Sequence, residues 1–259
     1  MKGYMIFVSK ECVEIIRTKR LFVLGCVFLL FAFTSPLLAR YVMEIFAALM
    51  PAGEAEMFAA VMPEPTWQDG YIQFYGNISQ IGIIAIIMLF MGVVFDEKRK
   101  GTAPIMMMKG LSHTGFIMAK FTVMGAATVV IMLVSVFISH LYTYALFGEA
   151  ANIGSLILGF LIYCVVLLMV ISVSIFCSTI AKSVAMSAIL GFAFFMGFSI
   201  IAVLPRIGQY SPGALLGSMP IEVTVDITPD SLTIALLITA ALTAVFLAAA
   251  VNILKRKEL

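Results

Sequence analysis

Six long stretches free of Asp, Glu, Lys and Arg constrain this chain more than any other feature of it. An α-helix rises about 1.5 Å per residue and the bilayer's hydrocarbon core is about 30 Å thick, so one crossing needs about 20 apolar residues. Leu21–Ala39, Ile72–Phe95, Phe121–Phe147, Ile153–Ala181, Ser183–Leu204 and Ser231–Leu254 all meet that length. Within the third and fourth runs the natural turn is Gly148-Glu149-Ala150-Ala151-Asn152, and Lys182 marks a second, short one. The predicted fold is all-α and integral to the membrane, with spans at 21–39, 72–95, 116–147, 153–181, 183–204 and 231–254. The whole chain, 1–259, is one transmembrane domain.

Composition agrees. Hydrophobic residues make up 63% and charged residues 12%, against about 45–50% apolar and about 25% charged in a soluble domain. The net charge of +2 gives no reason to expect a nucleic acid partner. The placement of the charges is more informative. With the N-terminus inside and the spans alternating, every Lys and Arg except Arg40 and Arg206 falls on the inner side. That bias places both termini in the cytoplasm. The first run exceeds a signal-peptide core, follows Glu11 and Glu14, and lacks a small-x-small cleavage site, so it reads as a retained span. Of the four cysteines, Cys12 is inner and Cys26, Cys164 and Cys177 lie in spans, where they report nothing about redox compartment.

Four segments are not plain spans. Residues 4–20 form an amphipathic helix with Tyr4, Met5, Val8, Cys12, Ile15 and Ile16 on one face and Lys10, Glu14 and Arg17 opposite. Such a helix lies in the membrane interface, as a simple anchor or as part of a contact, and turns inward near Lys19-Arg20. Residues 96–113 form the main inner loop. Gly101 should end a helix, Thr102 cap a new one through Ile105-Met106-Met107-Met108-Lys109, Gly110 stop it, and Ser112 cap the third span. Its methionine face suits either a docking surface or the lipid headgroups. The outer loop 40–71 is acidic and repeats Met43, Met50 and Met57 at heptad spacing, either as short amphipathic helices or as a thioether ladder for Cu(I). The outer loop 205–230 carries Pro205, Pro212, Pro220 and Pro229, as broken helices re-entering the membrane or as a surface loop.

Two of these segments resemble a family. Lys10-Glu11, Glu14-Ile15-Ile16-Arg17 and Lys19-Arg20 look like the N-terminal stretch of permease subunits of ATP-binding-cassette exporters of the type two class. The inner loop is similar to their second signature through Glu97, Gly101-Thr102, Met106-Met107, Gly110-Leu111-Ser112 and Lys120. Pro104, Gly110 and His113 depart from it, standing where an acid, a proline and an arginine are usual. The resemblance implies an exporter of the prokaryotic plasma membrane that pairs with a second permease copy or a paralogue. It also implies a separate cytoplasmic ATPase, which binds the ATP and Mg. Under it Glu97, Gly101, Thr102, Met106, Met107 and Lys109 meet that ATPase, while Glu11, Glu14 and Arg17 tie the interfacial helix to the same region through charge pairs.

The residues themselves exclude other classes. The chain lacks G-x-x-x-x-G-K-[ST], the phosphate-cradling loop, so it supplies no ATPase of its own. No span holds the acid or base that ion-coupled pumps place at membrane depth, apart from His140, which reads as an interfacial histidine beside Tyr142 and Tyr144. The two histidines, His113 and His140, sit at opposite membrane faces, so no cofactor, catalytic or metal residue is expected in this chain. The runner-up function is an ATPase-linked assembly factor for an external partner such as a copper enzyme.

Overall fold

The computed structural model describes residues 2–49, 51, 63–217 and 229–257. Among them every regular element is helical, and six helices are long and apolar enough to cross a membrane. The first element, α1 (Lys2–Arg17), is short of that length. The first span, α2 (Arg20–Leu49), runs ten residues past the charge-free stretch, taking Arg40, Met43 and Glu44 into the same helix. Charges do not stop a helix; they only mark where it leaves the apolar layer. Met50, Met57 and Phe58 lie outside the described residues, so only Met43 of the methionine repeat has a place.

The second span is one run from Trp67 to Arg99 with two irregularities. It begins as α3 (Trp67–Asn77), passes through a π turn (Ile78–Gly82), and continues as α4 (Ile83–Phe90). Thr66 and Asp69 close its start as a reciprocal capping box. Residues 91–94 then loosen into turns before α5 (Phe95–Arg99). The backbone amides freed there are not left bare: the Ser178 hydroxyl accepts from Val94 at 3.0 Å and Phe95 at 3.1 Å.

A short transverse helix, α6 (Thr102–Met108), leads to the third span, α7 (His113–Phe147). The turns follow the sequence closely. Gly101 and Gly110 take the left-handed conformation at φ 71° and 91°, and the Ser112 hydroxyl accepts from Gly115 N at 3.0 Å. Thr102 departs from its expected role. Gly101 occupies the cap position, and the Thr102 hydroxyl instead donates back to the Glu97 carbonyl at 3.2 Å.

The fourth and fifth spans, α8 (Ile153–Ile180) and α9 (Val184–Ala202), begin at Asn152 and Ser183, whose side chains accept from Ser155 N and Met186 N. After α9, a 3-10 turn (Gly208–Tyr210) and α10 (Pro212–Gly217) fold back against the bundle, and α11 (Pro229–Lys257) forms the sixth span. Leu215 of α10 is buried. The Leu216 carbonyl accepts hydrogen bonds from Tyr163 at 2.9 Å and Ser79 at 3.2 Å. Pro220 lies outside the described residues.

The core is built around α8, which packs against α4, α7, α9 and α11. At the end of the bundle away from α1, Tyr71 and His140 meet, hydroxyl to Nδ1, at 2.7 Å. His140 therefore has a partner inside the bundle, while Tyr142 packs edge-on against Phe33.

Candidate functional site at the basic end

The two segments singled out in the sequence come together at one end of the bundle. They meet around Lys120, a lysine one turn and more inside α7 that is 0% exposed. An ammonium cannot stay charged in such a place without partners. Lys120 donates to both oxygens of Glu11, at 2.9 and 3.0 Å, and to Glu97 at 2.9 Å. Its charge also sits 5.0 Å from the Phe116 ring centre and 5.6 Å from that of Phe7. A second ammonium closes the cluster, with Lys10 bonded to Glu97, to Glu14 at 2.7 Å and to Glu11 at 3.0 Å.

Four pieces of chain are joined here: α1 through Lys10, Glu11 and Glu14, α5 through Glu97, α7 through Lys120, and α6 indirectly through Thr102. Glu11 and Glu97 are only 4% and 5% exposed. The bundle-facing side of α1 is therefore the Phe7, Glu11, Ile15 line, spaced four residues apart. That differs from the face read from apolar residues alone, since Met5, Cys12 and Ile16 are exposed. A glutamate with two ammonium partners belongs inside, which hydrophobic periodicity cannot see. At its far end α1 breaks at Thr18 and Lys19, the latter left-handed at φ 57°, and the chain turns directly into α2.

Of the expected residues, Glu97, Glu11 and Glu14 lie in this cluster. Arg17 lies outside it, exposed at the end of α1. On α6, Ala103 is buried, Met106 and Met107 are half-buried against the core, and the outward face is Pro104, Ile105, Met108 and Lys109, with Met108 79% exposed. Between α1 and α6 a cleft of about 190 Å³ is lined by Ile6, Phe7, Lys10, Met106, Lys109 and Leu111. The sequence names Lys10 and Lys120 within the two motifs but does not pair them with these carboxylates. The available signal was a lone lysine in the first third of a span with no acid on its own helix to pair with.

Ligand atoms of Glu11, Glu14 and Glu97 lie within 4.8 Å of one another, close enough to hold a metal ion. The two ammonium groups already bonded to these oxygens do not fit that role, because a metal would have to displace both. Protons matter more. Burial alone would raise the Glu14 carboxyl, but the hydrogen bond and charge of Lys10 hold it below the usual carboxylate value. Burial likewise pulls the Lys10 ammonium down, and its bonds to Glu14 and Glu97 more than reverse this, raising it. The depressed Glu14 stabilises the folded state above 4.5 and loses that contribution as pH falls through its folded value. The raised Lys10 stabilises below 10.5 and loses it as pH rises through its folded value. Protection of the α1 amides, taken relative to the intrinsic exchange rate at each pH, should thus be greatest between those limits and fall on either side. Glu14 is half-exposed, so its own share is below about 1 kcal/mol. A flat profile through pH 4 would contradict it.

The match to known proteins bears on this arrangement. No curated protein matches the chain. The family model described as ABC-2 family transporter protein matches residues 54–252, which takes in the second to fifth spans, most of the sixth, and the whole strap from α5 through α6 to α7. This multi-pass membrane protein belongs to the ABC-2 family of transporter proteins.

Proposed function

We propose that this chain is the membrane-spanning half of an exporter, working as a dimer of permeases in a prokaryotic plasma membrane. A separate ATPase docks at its basic, cytoplasmic end, and cargo leaves at the other. One observation carries the reading. A short helix with an outward apolar face is strapped between the second and third spans, and its footing is a buried ion cluster that also holds α1. Such a strap has little freedom to slide, so a push on α6 passes to α7 through Lys120 and to the second span through Glu97. ATP and Mg belong to the partner, and this chain's own residues provide only the lever.

The outward residues, not the half-buried ones, make the contact on this reading. Ile105, Met108 and Lys109 face the ATPase, while Met106 and Met107 seat α6 on the bundle. Gly101 and Thr102 set its angle. The double variant Ile105→Asp/Met108→Asp should reduce co-purification of the ATPase by more than about tenfold, since two carboxylates would have to be desolvated in an apolar contact. The spans should stay folded, as judged by an unchanged thermal transition in detergent. Normal co-purification and normal transport by this variant would sink the docking assignment.

A further inference from the structure

Side chains of α8 tie the fourth span to the second at two levels. Near the outer end the Tyr163 hydroxyl lies 2.9 Å from Ser79 and donates to the Leu216 carbonyl of α10, also at 2.9 Å. Near the basic end the Ser178 hydroxyl accepts from both Val94 and Phe95. The pairs Ser79 with Tyr163 and Val94 with Ser178 are each 84 residues apart in the chain. The two ties are therefore equally spaced on both helices, about 22 Å apart at 1.5 Å per residue. Both fall where the second span is irregular, at the π turn and at the loosened stretch 91–94. By contrast α8 is unbroken from Ile153 to Ile180. In a regular helix Val94 and Phe95 would donate to the Phe90 and Met91 carbonyls, four residues back. Instead both amides take the hydroxyl of the fourth span, and the ladder resumes where Asp96 donates to the Gly92 carbonyl at 2.8 Å. Lys98 adds a third bond, donating to the Thr179 carbonyl at 3.3 Å. Val94 and Ser178 are fully buried, so an amide released there has no solvent to turn to.

We infer that Ser178 is a positioning residue for the transport cycle: it fixes the strap to the fourth span, and α8 carries the ATPase's push to α10. The inference rests on the export reading and supplies the path that the push takes. A helix transmits an axial push through its continuous ladder of backbone bonds. The second span has lost two of those bonds between α4 and α5 and departs from the α pattern again at the π turn. A displacement of α5 is therefore absorbed at 91–94 before it reaches α4. The same displacement meets α8 through three hydrogen bonds to its last turn, at Ser178 and Thr179. From there the fourth span is continuous to Tyr163, whose hydroxyl holds α10 by the Leu216 carbonyl. The helix α4 packs on α8 between the two ties and is not required to pass the push on.

The test uses the full chain with its ATPase in lipid nanodiscs, where both faces are open to reagents. The exposed Cys12 and Cys26 are replaced by serine, the buried Cys164 and Cys177 are kept, and Leu215→Cys reports on α10. ATP with vanadate should speed labelling of Leu215→Cys by a charged methanethiosulfonate at least about fivefold, the lower end of ordinary coupling between sites. With Ser178→Ala that ratio should fall below about twofold, and Ser178→Thr, which keeps the hydroxyl, should restore it. A serine with only a structural role would change labelling with and without ATP alike and leave the ratio as it was. Ser174→Ala, one turn away on α8, is the control, because Ser174 donates within its own helix to the Val170 carbonyl at 2.9 Å. An unchanged ratio with Ser178→Ala, an equal loss with Ser174→Ala, or no recovery with Ser178→Thr overturns the assignment. A second measurement needs no change at Ser178 and decides the matter where Ser178→Ala fails to fold. The Val94 and Phe95 amides should keep their protection from exchange under ATP and vanadate. Exchange more than about tenfold faster would mean that the tie opens during the cycle, and would overturn it too. A native complex that holds no ATPase refutes the export reading, whereas a bound ATPase with an unresponsive Leu215→Cys refutes only the path through α8.

Discussion

Replacing Lys120 by methionine is expected to release α1 from the bundle. The two side chains are close in length, so little packing volume changes; what disappears is the charge. Glu11 and Glu97, 4% and 5% exposed, are then left with Lys10 as their remaining ammonium partner, which Glu14 also holds. One Glu97 oxygen already lacks a hydrogen bond. Removing one member of a buried ion group costs about 3–5 kcal/mol, a large share of the roughly 5–15 kcal/mol that holds a domain together. The loss should fall first on α1 and the strap, because the apolar spans keep their bilayer contacts. Amide exchange in α1 should rise by two orders of magnitude or more, at about 1.4 kcal/mol per factor of ten. The triple change Lys120→Met/Glu11→Gln/Glu97→Gln should recover most of the stability, since neutral groups carry no stranded charge. If Lys120→Met alone leaves α1 protected, the cluster does not hold the two segments together.

That lysine also shows where sequence reading stops. Spans are legible because the bilayer leaves few ways to bury an apolar run, and their turns are legible because glycine, asparagine and serine act locally. Gly101, Gly110, Ser112, Gly148, Asn152 and Ser183 all stand where chain geometry needs them. What is not local is not legible. Glu11 and Lys120 are 109 residues apart; the resemblance implies that Glu11 pairs with a charge near the inner loop, but nothing in either neighbourhood picks out Lys120 as that charge. The same holds for the orientation of α1, whose inward face includes a glutamate. Thr102 misleads for the opposite reason: its hydroxyl has two local carbonyl and amide choices, and a left-handed Gly101 decides between them.

Gly213→Ala is expected to dislodge the segment that follows the fifth span. A methyl group on Gly213 would overlap the Phe198 carbonyl oxygen and lie 2.8 Å from Ala202 Cβ and 3.0 Å from the Phe198 carbonyl carbon. Gly208 is equally close, its added carbon overlapping the Ala202 oxygen and standing 2.8 Å from that carbonyl carbon. The opposing atoms are mostly backbone at the end of α9, which cannot rotate aside, so α10 itself must move. Overpacking of this kind costs about 1–3 kcal/mol. Movement of α10 also pulls the Leu216 carbonyl away from Ser79 and Tyr163; the two hydroxyls, 2.9 Å apart, keep each other, but one buried O–H loses its acceptor, which adds about 1–3 kcal/mol. A lower thermal transition should be accompanied by faster thiol labelling at Leu215→Cys, a position that is fully buried in the native bundle. Gly197→Ala, on α9 with nothing within 4 Å of an added carbon, is the matched control and should change neither reading. Should Gly213→Ala behave like Gly197→Ala, the backbone of α10 does not rest on the end of α9, and the hydroxyl pair on the second and fourth spans has some other acceptor.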